Sequence, residues 1–153
     1  MWATTLESKL LEFKTRPVMY LCSSEKEVGS LVEKSKEASS ASGFLLLVDE
    51  SERSTARALP AYVSASIRFR EGIARSKSMQ MEMLMLLCGT MNIGKALREC
   101  GAKRKERFML FATNGRLFRR FAKANGIREI KKVDLRLETR VAGEVAITEL
   151  LNG

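Results

Sequence analysis

The sequence predicts an α/β protein, a small mixed β-sheet packed with several α-helices, in a single domain over residues 1–153. Three observations carry that expectation. Two short apolar runs, FLLLV at 44–48 and FMLFA at 108–112, have the length of buried strands. Around them, apolar residues recur at helical spacing between capping and stop signals. The segments do not alternate in a strict βαβ order, which favours a mixed sheet over a doubly wound parallel one. A chain of 153 residues with 45% apolar content fits one globular domain with a real core.

Taken in order, Leu6 to Phe13 is compatible with a short strand or a short helix. PVMYL, ending at Leu21, is a compact apolar strand. Ser23 or Ser24 then opens a helix, with Glu27 three residues after Ser24 at capping-box spacing and Val28, Leu31 and Val32 as its buried stripe. The Ser-rich stretch up to Gly43 is a loop. The strand at 44–48 is apolar throughout and is expected at the centre of its sheet. A long helix follows, starting near Ser51 or Ser54, where Pro60 would kink it, or at Pro60 itself, where a first-turn proline is tolerated.

The stretch from Met79 to Gly101 holds the longest apolar run, then a polar break at Gly89-Thr90. Met83, Leu84 and Leu87, and beyond the break Ile93 and Leu97, recur at helical spacing, so two helices meet at a corner. Asn92 caps the second and Gly101 stops it. A basic turn at 103–107 leads into the strand at 108–112. Asn114-Gly115 makes a turn, Leu117 to Ala124 a short basic helix, and Ile127 to Leu137 a strand-like alternation. Thr139 caps a final helix through Val141, Val145 and Leu150.

Histidine is absent, which removes Ser-His-Asp and Cys-His sites and most zinc sites. No tight carboxylate pair stands out, so the chain is expected to bind rather than catalyse, with no catalytic residues, no metal and no cofactor. Cys22, Cys88 and Cys100 form no C-x-x-C pair and fit reduced, buried thiols. No apolar run approaches the roughly 20 residues that span a bilayer. The first residues carry acids rather than a sustained apolar core, unlike a secretory signal. Cytoplasmic residence without a membrane partner follows. The formal charge is +9, and it is uneven: residues 95–136 hold 14 Lys/Arg against 4 Asp/Glu, the remainder 13 against 14. A field of that kind favours a polyanion.

One motif points elsewhere. Gly89 to Lys95 fits G-x-x-x-x-G-K, and the alternative function is a P-loop-like nucleoside triphosphatase built on it. Against it, Ala96 stands where a hydroxyl should hold magnesium, and Asp49, at the end of its strand, lies upstream of the loop rather than downstream.

The order of segments resembles the small, PRPK-binding subunit family of the KEOPS complex. The matching pieces are PVMYLCSSEKEVGSLVEKSKEA, the strand FLLLVDES, a long helix ending at a glycine, Lys77-Ser, Glu82 inside an apolar helix, the series Gly89, Asn92, Ile93, Ala96, Leu97 and Gly101, the strand RFMLFAT, and the ending IREIKKVDLRLETRVAGEVAITELL. The resemblance implies a noncatalytic subunit. It would bind a protein kinase-like ATPase in the machinery that makes threonylcarbamoyl adenosine in transfer RNA, and would hold the single-stranded 3′ CCA end of that RNA. Two departures are Asn92, where archaeal members often carry Gln, and the missing histidine of the long helix. Arg68, Arg70, Arg75, Lys77, Asn92, Ile93 and Lys95 are the RNA-binding candidates: cations for phosphates, an amide for a base edge and an apolar notch beside them. Phe118 and Phe121 with Arg119 and Arg120 either stack bases or belong to the core. Val141, Val145 and Leu150 are the kinase-binding candidates, unless that stripe packs on its own sheet.

Overall fold

The computed structural model describes residues 16–40 and 43–135. The segment at 6–13 and the final helix with Val141, Val145 and Leu150 lie outside them. The described elements are β1 (Val18–Ser23), α1 (Val28–Ala38), β2 (Leu45–Val48), α2 (Glu52–Arg70), α3 (Met79–Cys88), α4 (Ile93–Cys100), β3 (Phe108–Ala112), α5 (Gly115–Asn125) and β4 (Arg128–Lys132). They fall into two compact units, one formed by Glu52–Cys100, the other by residues 16–51 with Gly101–Asp134. The helical unit is therefore an insertion between β2 and β3.

The α/β class, with a small sheet and several helices, is as the sequence predicts. The sheet has the order β2-β3-β1-β4, and all three pairings are antiparallel, where a mixed sheet was expected. A second expectation is corrected as well. Of the four described strands β2 lies at an edge, although it is buried at all four positions. An apolar run reports how well a strand is covered, not how many neighbours it bonds. The outer edge of β2 is partly closed by other means: the Leu45 N–H donates to the Ser39 hydroxyl at 3.2 Å, and Val48 bridges to Gly101.

One core fills the sheet unit. Leu45 and Leu47, and Phe108, Leu110 and Ala112, alternate along their strands and so share a face. Against them pack Leu31 of α1 and Phe118, Phe121 and Ala122 of α5. Tyr20 stacks on Phe118 with ring centroids 4.2 Å apart. These two phenylalanines are thus core residues, not stacking platforms. The capping box expected at Ser24 does not form. Helix α1 begins at Val28 with Glu27 at the N-cap, and the Ser24 hydroxyl is spent on a local turn, accepting from the Lys26 N–H at 2.9 Å.

In the helical unit, α2 starts at Glu52 and runs through Pro60. Helix α3 is capped by the Ser78 hydroxyl, which accepts from the Met81 N–H, and ends at Gly89 with φ +82°, a left-handed conformation that favours glycine. Arg53, Arg57 and Arg68 are separated by near-integral numbers of turns and line one face of α2. All three are used on α3. Arg57 donates from Nε to the Leu87 carbonyl at 2.8 Å and from Nη2 to the Leu86 carbonyl at 2.9 Å, and Arg53 donates to the Cys88 carbonyl at 3.3 Å. These are final carbonyls of α3, which lack partners within the helix and favour a cation.

Near the start of α3, Arg68 Nε donates to Glu82 Oε2 at 2.6 Å, with the two side chains 8% and 0% exposed. The carboxylate also accepts the backbone N–H of Arg75 at 3.0 Å and of Ser76 at 2.8 Å, while Arg68 Nη2 donates to the Ile73 carbonyl at 3.2 Å. No described helix is long and apolar enough to cross a membrane.

Removing one partner of a buried, hydrogen-bonded ion pair strands the other charge, at a cost of about 3–5 kcal/mol. Glu82→Ala is therefore expected to lower the unfolding free energy by about that amount in urea titrations, and Glu82→Leu combined with Arg68→Met to recover most of it. A loss below about 1 kcal/mol in Glu82→Ala would show that the pair does not hold the turn.

Candidate nucleic-acid interface

The seven RNA-binding candidates all lie in the helical unit, and the structure separates them. Arg68 is buried and committed to Glu82, so it offers no charge to a ligand; it is a structural residue and leaves the set. Arg70, Arg75 and Lys77 are exposed around the turn between α2 and α3. Asn92, Ile93 and Lys95 are exposed at the far end of α3. Ten helical residues stand between the two groups, about 15 Å of axial rise. They do not form the single pocket that their closeness in sequence suggests. Arg75 and Lys77 are placed by the Glu82 carboxylate, which fixes the backbone of their turn.

At the second group, Asn92 Oδ1 accepts the Lys95 N–H at 2.9 Å and so caps α4, as its position predicts. The cap leaves the Asn92 amide nitrogen as the group that can meet a base edge. Lys95 lies 3.9 Å from Glu99, one turn along. Ile93 is 41% exposed, and Leu97, one turn on, is 45% exposed. The opposite pair, Ala96 and Cys100, is buried. Half of the apolar face of α4 thus stands in solvent.

The same corner lacks the geometry of a phosphate-cradling loop. Such a loop follows a strand, and its backbone N–H groups point at the ligand. Here a helix precedes Gly89, and several of the donors close on the chain itself. The N–H groups of Gly89 and Thr90 go to the Met85 carbonyl at 2.9 and 3.1 Å, and that of Asn92 to the Thr90 hydroxyl at 3.2 Å. Among the described residues no group of three or more His, Cys, Asp or Glu is placed to hold a metal ion.

The basic field of residues 95–136 has its densest exposed part in the sheet unit. Asn114 Oδ1 accepts the Leu117 N–H at 2.8 Å and starts α5 at Gly115, so Asn114-Gly115 is a helix cap rather than a free turn; Gly126 closes the helix at φ +64°. Phe118, Phe121 and Ala122 turn inward. The remaining face carries Arg116, Arg119, Arg120 and Lys123, all exposed, within an arc of about 100° and with no acid on the helix. Beyond Gly126, every residue of β4 is exposed, including Arg128, Lys131 and Lys132. Elsewhere in the region the charge is partly answered. Arg107 grips Glu50 with two bonds of 2.7 and 2.8 Å, holding that carboxyl below its usual range, and Lys105 meets Glu27 at 3.1 Å.

Of this face the sequence names Arg119 and Arg120, as companions of Phe118 and Phe121, but not Arg116 and Lys123, although the spacing of residues 116, 119, 120 and 123 opposite the two aromatics carries the signal. Set against known proteins, the chain matches no family model and no curated protein.

Calorimetric titration of the purified chain with magnesium-ATP is expected to give no binding heat. Saturable binding that disappears in Lys95→Ala would restore the nucleotide reading of the corner.

Proposed function

We propose that the chain is a noncatalytic RNA-binding adaptor. The single observation that carries this reading is the face of α5, four exposed cations on a helix whose other side is locked into the core. A rigid row of guanidinium and ammonium groups takes phosphates without paying side-chain disorder across a mobile loop. Arginine adds paired donors that match phosphate oxygens. Each phosphate neutralised releases counterions, so affinity falls as salt rises. Arg128, Lys131 and Lys132 of β4 extend the positive surface of the same unit. In the helical unit, Arg70, Arg75 and Lys77 form a second, smaller patch, and Asn92 and Ile93 offer an amide and an apolar contact to an unstacked base.

The order of segments narrows the proposal. On it, the RNA is transfer RNA held by its 3′ CCA end, the protein partner is the kinase-like ATPase subunit of a KEOPS complex, and the complex makes threonylcarbamoyl adenosine in the cytoplasm. The chemistry then belongs to the other subunits, and this chain recruits substrate and tunes the ATPase.

Filter binding to transfer RNA over a salt series tests the RNA face. Joint replacement of Arg116, Arg120 and Lys123 by Glu is expected to weaken binding at least about tenfold near physiological salt and to reduce the slope of log affinity against log salt by about two to three. Trimming the CCA end is expected to remove most of the wild-type affinity. An unchanged slope in the triple variant contradicts the α5 face. Unchanged affinity after trimming contradicts the CCA assignment alone. Recovery of the ATPase subunit from native extract with or without ribonuclease is the expected sign of the protein partnership, and its absence from both samples the contrary one.

A further inference from the structure

Two cysteines that are twelve positions apart share one guanidinium. Cys88 ends α3 and Cys100 ends α4. Arg53 Nη1 lies 3.5 Å from Cys88 Sγ and 3.3 Å from Cys100 Sγ. Sulfurs that touch the same nitrogen stand no more than about 7 Å apart, so a disulfide between them requires the guanidinium to withdraw and the two sulfurs to close on each other. Arg53 does more than cap α3: one nitrogen of its guanidinium touches both sulfurs and brings them to the same point, and the thiolate is the form in which either would react. The guanidinium itself is held above its ordinary range, chiefly by the charge of Cys100. The two thiols also differ in access. Cys88 is half-buried and Cys100 is buried. That division suits a cysteine that meets an oxidant and a second one that resolves it. Cys22 supplies an internal contrast, because burial pushes its thiol up to about 12, so it stays protonated and inert at neutral pH.

We propose that Cys88 and Cys100 are a hydroperoxide-responsive thiol pair, with Arg53 as the positioning residue. The Cys88 thiolate attacks the near oxygen of the peroxide. The O–O bond breaks, a sulfenic acid forms on Cys88, and the leaving oxygen takes up a proton to depart as water or, from an organic peroxide, as an alcohol. The Cys100 thiolate then attacks the Cys88 sulfur. The S–O bond breaks, the S–S bond forms, and the departing hydroxide takes from solvent the proton that Cys100 released on ionising and leaves as water. Two electrons pass from the two sulfurs to one peroxide. The product ties the end of α3 to the end of α4 and encloses the Gly89–Asn92 corner in a covalent loop. It also takes both sulfurs away from Arg53. This inference is independent of the RNA reading.

The test uses the reduced full chain, hydrogen peroxide at low molar excess, and peptide mass mapping without reductant. The expected result is a loss of about 2 Da with a cross-link joining the peptides of Cys88 and Cys100, unaffected by Cys22→Ser. In Cys100→Ser the sulfenic acid on Cys88 is expected to persist and to be trapped by dimedone. Arg53→Gln is expected to slow cross-linking at least about tenfold, with Arg53→Lys retaining most of the rate and circular dichroism confirming that both variants are folded. Absence of the Cys88–Cys100 cross-link, oxidation only between molecules, or an unchanged rate in folded Arg53→Gln would overturn the proposal.

Discussion

The helical unit depends on a carboxylate placed in the most apolar helix of the chain. Glu82 is wholly buried, and its charge is tolerable because it is surrounded by donors: the Arg68 guanidinium and the backbone N–H groups of Arg75 and Ser76. That arrangement binds α2, the turn after it and the start of α3 into one construction. At the other end of α3, Arg57 and Arg53 reach from the same face of α2 to the last carbonyls. Arginine suits this work because its planar, permanently charged head spans two acceptors and leaves no titratable ambiguity in the interior.

This use of arginine changes what the formal charge means. A count of +9 treats every cation as part of one external field. Arg68 contributes nothing to that field, and Arg57 directs its guanidinium to carbonyls. Arg107 is bound to Glu50. The exposed face of α5 is different in kind. Its cations project from a helix that Phe118 and Phe121 anchor, and no acid on the same helix offsets them. Among the described residues, these four cations are therefore not spent on holding the fold together.

Much of the fold was legible because it is local. The runs at 44–48 and 108–112 became β2 and β3, and the break at Gly89 with a cap at Asn92 separates α3 from α4 as the spacing implied. What failed was long-range or depended on a single side chain. The antiparallel sheet and the edge position of β2 follow from pairings across a 49-residue inserted unit, which no window of sequence contains. Pro60 was compatible with a kink or a helix start, and the helix simply continues through it. The site was less legible than the fold. Arg68 reads in the sequence as a phosphate contact, and only the fold brings Glu82, fourteen positions on, against it. The candidates grouped around one corner proved to be divided by the length of α3. On α5, Arg119 and Arg120 are legible as companions of Phe118 and Phe121, and the outer row that they share with Arg116 and Lys123 emerges once the aromatics are seen to face the core.

The central claim is that interior arginines build the helical unit while the outer face of α5 meets the polyanion. Ultraviolet cross-linking of intact transfer RNA to the chain, mapped peptide by peptide, addresses it most directly. Cross-links on the peptides of residues 115–125 and 128–132, with none at Arg57 or Arg68, are expected. Cross-links spread evenly over the surface, or absent from 115–132, would contradict it.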